Sequence, residues 1–181
     1  MKRTLLFLAG GLMLGGIIHL AIVLLVPMYA SHDAWAEMGR FGADRAFHLL
    51  PHPEAGNEAI PGMDPRFVQA ECRFRLADGP LRVTAKMPDE FWSVAVFDRH
   101  GRNVYSLNDR ATDGPNLALA VLTAVQLAQL RQNPPASLES TITIDLPIDR
   151  GFVLLRAFVA DASMLPAATA ALAAADCGGA F

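Results

Sequence analysis

The chain is 181 residues long and sets 15 Lys and Arg against 18 Asp and Glu, for a net charge of −3. Beyond the first three residues it has no basic cluster, which excludes a nucleic-acid protein, because neutralising phosphates takes a stripe of Lys or Arg. It has no Gly-x-Ser-x-Gly, no His-Glu-x-x-His, no Cys-x-x-Cys and no phosphate-cradling glycine loop, so no motif announces a reaction.

From Thr4 to Ala30 the sequence is uncharged, and only His19 interrupts its apolar character. A helix crosses a bilayer with roughly 20 apolar residues, whereas the core of a cleavable leader needs only about 7–15. Residues 1–30 are therefore expected to be an uncleaved signal anchor that spans the lipid bilayer once. Lys2 and Arg3 precede it, and no Lys or Arg follows until Arg40. Positive residues stay on the cytoplasmic side. The amino terminus is then cytoplasmic, the anchor lies in a bacterial inner membrane, and the remainder is periplasmic. A secreted, cleaved form is the alternative, since Ala34-Trp35-Ala36 has the small-x-small form. Within the anchor, Gly11, Gly15 and His19 recur every fourth residue and share one face. Small residues at that spacing let helices approach closely, which points to a homodimer through the anchor. Against this, glycine is simply common in membrane helices.

Residues 31–65 read as a juxtamembrane helix followed by a connector. Ser31 is an expected N-cap, and Trp35, Met38, Phe41 and Phe47 are loosely periodic as far as about Leu50, although Gly39 and Gly42 weaken the pattern. Pro51 to Pro65 is rich in proline and glycine. His48, His52 and Glu54 invite a metal reading, but Pro51 and Pro53 break the helical face that would align them. A plain connector is expected there, with no metal and no cofactor.

The globular domain is expected over residues 66–181. Val68, Ala70, Cys72, Phe74 and Leu76 alternate with Gln69, Glu71, Arg73 and Arg75, the signature of a half-buried strand. Asp78-Gly79 is expected to turn it into a hairpin with a second strand, in which Leu81, Val83, Ala85 and Met87 face inward. Strands at Phe91–Phe97 and Asn103–Leu107 would extend an antiparallel meander. Leu117–Leu122 reads as a strand and Ala124–Arg131 as a helix, with Thr123 and Gln126 at capping-box spacing. Ile142–Leu146 and Phe152–Ala160 are further strands, and Ser163 is expected to cap a closing alanine-rich helix with Pro166 in its first turn. The fold class is mainly β: a sandwich of mostly antiparallel strands with two short helices. Cys72 and Cys177 would lie in an oxidising compartment, where a bridge closing so long a loop contributes up to about 4.7 kcal/mol. Two separate buried thiols are the alternative.

Several runs also resemble a known family. They are Asp64-Pro65-Arg66-Phe67, Cys72-Arg73-Phe74 with Asp78-Gly79-Pro80, and Phe91-Trp92-Ser93-Val94. Asp98-Arg99-His100-Gly101, Tyr105 to Arg110, Leu122-Thr123 and Pro147-Ile148-Asp149-Arg150-Gly151-Phe152 continue the match. Together they resemble the short, membrane-anchored, alphaproteobacterial members of the family called domain of unknown function 1254. Longer relatives fuse this module to a second β-rich domain, domain of unknown function 1214. The resemblance implies a β-sandwich, an envelope location and a separately encoded β-rich partner protein. It brings no activity and no catalytic residues.

Two groups of residues are the candidates for a ligand or partner site. Asn108, Asp109 and Arg110 follow a strand, where side chains converge at a sheet edge; the plainer reading is a turn that Asp109 caps. Arg156 shares a strand face with Phe152, Leu154 and Phe158, and a charge there needs a partner, for which Asp98, Asp109 and Asp145 are candidates. A structural ion pair, or an edge arginine reaching water, would explain it equally. Asp98, Asn108, Asp109, Arg110 and Arg156 thus form the expected site of a membrane-tethered envelope module that binds a partner protein or a small ligand. The alternative is a hydrolase-like envelope enzyme with His100 or His48 beside an acid or a serine.

Overall fold

The computed structural model describes residues 2–29, 33–53, 60, 62–112 and 114–178. The chain divides into two compact units, residues 1–32 and 33–181. The first is a single helix, α1 (Lys2–Tyr29), about 42 Å long at 1.5 Å per residue. That exceeds the roughly 30 Å hydrocarbon core of a bilayer. The described side chains of α1 are all exposed, so this helix has no core of its own to pack into.

The second unit contains, in chain order, α2 (Ala34–Met38), β1 (His48–Leu49), β2 (Phe67–Arg75), β3 (Leu81–Lys86), β4 (Trp92–Asp98) and β5 (Asn103–Asn108). Then follow β6 (Asn116–Leu122), α3 (Ala124–Gln132), β7 (Ile142–Asp145), β8 (Arg150–Phe158), α4 (Leu165–Ala173) and β9 (Asp176–Gly178). They form two sheets, one ordered β1-β2-β8-β4-β5 and the other β7-β6-β3-β9. Every pairing is antiparallel except β6 with β7. The fold is mainly β, as the alternation requires.

The inward faces supply the core. Val68, Ala70, Cys72 and Phe74 of β2 and Val153, Leu155 and Ala157 of β8 meet Leu81 and Val83 of β3 and Leu117, Leu119 and Val121 of β6. Cys72 is bonded to Cys177, joining β2 to β9 and so one sheet to the other across this core, with Cα atoms 6.5 Å apart. The bridge ends on the short strand β9.

Three local expectations change. β2 and β3 do not pair: a 3-10 turn over Leu76–Asp78 and Gly79 at φ +110° carry the chain from the first sheet to the second. The meander therefore reduces to one hairpin, β4–β5. The juxtamembrane helix is only the five residues of α2, capped by Asp33, whose carboxylate accepts from the Ala36 amide at 3.2 Å; the expected Ser31 cap lies outside the described residues. Gly39 ends the helix as its C-cap, and Gly39 and Gly42 both serve close packing, since a Cβ on either would collide with the side chains of Arg73 and His48 respectively. At the other end, Ser163 does not cap α4: Asp161 caps a 3-10 turn, Ala162–Met164, its carboxylate accepting from the Ser163 amide at 2.7 Å, and that turn leads into α4, which has no side-chain cap of its own. The capping box at the start of α3 forms as spaced, with Thr123 and Gln126 bonding reciprocally at 2.9 and 3.2 Å.

Candidate functional site

The outer face of the first sheet carries the polar residues that alternate with the core. Its register sets Gln69 of β2, Arg156 of β8, Ser93 of β4 and Asn108 of β5 side by side in one row. Side chains opposed in this way have Cβ atoms about 4.5–5.5 Å apart. Ser93 Oγ accepts from Arg156 Nε at 3.3 Å. Arg156 Cζ lies 5.7 Å from the centre of the Phe67 ring, within cation–π reach. Phe67 is held edge-on by Phe158 at 5.5 Å and Phe91 at 6.2 Å. Arg156 and Asn108 then border a groove of about 470 Å³, with Phe91, Ser93, Phe97 and Tyr105 among its walls. Its outer margin is β5, which pairs with β4 alone.

Among the described residues no carboxylate forms an ion pair with Arg156. Asp98, Asp109 and Asp145 are therefore not its partners. Asp98 sits at the far end of β4 and belongs to a turn. Its carboxylate accepts from the His100 amide at 2.9 Å, the Arg102 amide at 3.0 Å and Arg102 Nε at 2.7 Å. Burial works against ionisation there, but the amide and guanidinium of Arg102 and the amide of His100 outweigh it and hold the carboxyl below the usual carboxylate range. Asp109 and Arg110 lie on a 3-10 turn beyond β5, where the Asn108 side chain accepts from the Arg110 amide at 3.2 Å. Neither lines the groove. Of the five candidates, the fold brings together Arg156 and Asn108, and it adds Ser93. The sequence signal for Ser93 is its place between apolar neighbours in β4, which marks the outward face.

A larger hollow of about 820 Å³ lies between the start of α3 and residues 145–149. Most of its polar groups are already engaged: Thr123 and Gln126 in their capping box, Gln126 Nε2 on the Leu76 carbonyl at 2.6 Å, and Asp149 with Arg150 at 3.0 Å, which leaves the exposed Asp145 at the margin. It offers a ligand little orientation. The histidines do not form a catalytic group either. His48 Nε2 donates to the Ala43 carbonyl at 3.0 Å, and His52 and His100 are exposed. Among the described residues no histidine is bonded to a serine, and no three potential metal ligands cluster. In α1, Gly11 and Gly15 have open space around them.

Two packed sheets closed by a disulfide, with a helix of bilayer-spanning length in the same chain, make this a β-rich sandwich module. The chain belongs to the family described as proteins of unknown function, DUF1254, whose pattern matches residues 45–177. Among solved structures, the VPA0106 protein from Vibrio parahaemolyticus aligns with a TM-score of 0.62 at 11% identity, over 83% of this chain and 35% of that one. The likeness is one of fold, and the chain spans about a third of that protein's length. An uncharacterized protein from Burkholderia cenocepacia aligns with a TM-score of 0.43 at 18% identity, over 63% of this chain and 32% of that one. No curated protein matches the chain.

Proposed function

We propose that the chain is a single-pass module of the bacterial inner membrane, with a cytoplasmic amino terminus, that presents its β-sandwich to the periplasm and binds a ligand or partner protein on the outer face of the first sheet. The bilayer-length helix after Lys2 and Arg3 supports the tether, and the inter-sheet disulfide supports an oxidising compartment. The observation that carries the binding reading is Arg156: a half-buried cation with no carboxylate partner among the described residues, opening into a groove beside an edge strand. Evolving an arginine into such a place without a counter-ion makes sense where something else supplies the negative charge. The partner is expected to be a β-rich protein encoded separately, and the anchor seam at Gly11, Gly15 and His19 offers a route to a homodimer.

Two measurements test this. A carboxy-terminal alkaline phosphatase fusion should be active and a fluorescent-protein fusion dark; a bright fusion in the cytosol would reverse the orientation. A photo-crosslinking residue at exposed Ser106 should capture one specific envelope protein in cells. Capture of abundant envelope proteins alone would remove the docking reading.

A further inference from the structure

We infer that the Arg156 groove takes a monoanionic carboxylate borne on an aromatic or aliphatic body, an inference that rests on the binding reading above. The guanidinium is clamped on two sides. Its Nε donates to Ser93 Oγ at 3.3 Å, and its Cζ lies over the Phe67 ring, 5.7 Å from the centroid. Among the described residues no protein group accepts from Nη1 or Nη2. Those two nitrogens form the fork that matches the paired oxygens of a carboxylate. The clamp pre-orients that fork, so little side-chain freedom is lost when an acid arrives.

Charge and surface narrow the class further. Among the described residues Arg156 is the sole charged one lining the groove, with no second cation there to share a dianion such as phosphate. A single negative charge is the complement. Phe91, Phe97 and Tyr105 supply an apolar wall, and Phe91 is 42% exposed although its strand neighbour Trp92 is fully covered. An organic body on the acid would cover that wall and gain from its burial. Asn108, whose Oδ1 is taken by the Arg110 amide, keeps its Nδ2 as a donor at the rim.

The test uses the full chain in nanodiscs, with 4-fluorobenzoate followed by fluorine NMR and empty nanodiscs as the blank. Saturable binding is expected, displaced by benzoate and by hexanoate, with acetate and inorganic phosphate at least tenfold weaker. Arg156→Gln should weaken binding at least tenfold and Arg156→Lys less. Phe91→Ser, at an exposed position outside the core, should weaken it several-fold and guards against an Arg156 variant that fails to fold. Equal competition by acetate or phosphate would overturn the organic-acid class while leaving the site. Binding unaltered by Arg156→Gln and Phe91→Ser would place the acid elsewhere and overturn the inference. No binding at millimolar probe, with a specific Ser106 crosslink still formed, would sink the carboxylate and spare the docking reading. Loss of both would sink both.

Discussion

Glu71 and Arg73 stand two positions apart on β2, point the same way, and meet opposite conditions. Arg73 has partners at both terminal nitrogens: its Nη1 donates to the Trp35 carbonyl at 3.3 Å, and its Nη2 pairs with Asp44 at 2.6 Å. Glu71 is fully buried, and neither carboxylate oxygen has a hydrogen-bond partner. Burial pushes its pKa up to about 7; Arg73 opposes the rise and Asp44 adds to it. His48 is its register partner on β1 and Leu154 on β8. The folded protein therefore holds a proton that the unfolded chain releases near 4.5. Stability should be greatest below pH 4.5 as far as this group is concerned, fall as pH rises towards about 7, and then level off. At about 1.4 kcal/mol per pH unit the loss is on the order of 3 kcal/mol. Glu71→Gln, the shape of the protonated acid, should flatten that slope in urea unfolding curves measured across the window. An unchanged slope would assign the pH dependence to other groups. The alternation in the sequence places Glu71 on the polar face of its strand, which is where it lies. Nothing local in the sequence says that the face is covered at that point.

That face is crossed by the segment from Asp33 to Phe47, a strap that sets Trp35, Gly39 and Asp44 against Arg73 and leads into the edge strand β1. A five-residue helix has no stability of its own, so α2 exists because it is docked. Trp35 is its anchor: buried, and under the guanidinium groups of Arg73, Arg75 and Arg150, whose Cζ atoms lie 4.5, 4.7 and 5.5 Å from its ring. Each such contact is worth about 0.5–2 kcal/mol, and the ring also spaces three like charges. The backbone adds ties, Trp35 N to Arg99 O at 3.1 Å and Arg45 N to Arg73 O at 2.8 Å. Trp35→Ala should release the strap, costing roughly 3 kcal/mol and opening trypsin sites at Arg40 and Arg45. Trp35→Phe should keep most of the protection. Limited proteolysis followed by mass spectrometry decides it, and a resistant Trp35→Ala would show that the backbone ties suffice. Here the sequence was partly legible. Trp35 and Met38 are the apolar positions that bury, but the glycines that weaken the helical pattern prove to be contact sites for Arg73 and His48.

The two sheets are joined by one covalent bond, and it spans 105 residues of sequence. β9 holds only three residues, pairs with β3, and carries Cys177. Without the bridge that edge of the second sheet depends on few hydrogen bonds. Replacing both cysteines by Ala should lower stability by about 2–5 kcal/mol. The same loss should appear on reduction of the native chain in equilibrium urea unfolding. No difference between oxidised and reduced protein would mean that the packing of β9 alone closes the fold.

The sequence by itself determined which side chains face inward, where α3 starts, that two cysteines fall on core positions, and that one segment suits a bilayer. Each of these is a local property, set by periodicity, capping chemistry or run length. Which strand lies beside which was decided only in three dimensions, because alternation encodes a face and not a neighbour. Asp78-Gly79 looks like a hairpin turn, yet Leu76 and Leu81 on either side of it are both buried, and burying both sends the chain across the core to the other sheet. The same holds for the groove: Arg156, Ser93 and Asn108 are far apart in the chain and meet through register, whereas Asp98, on the same strand as Ser93, is drawn into its own turn by nearby amides.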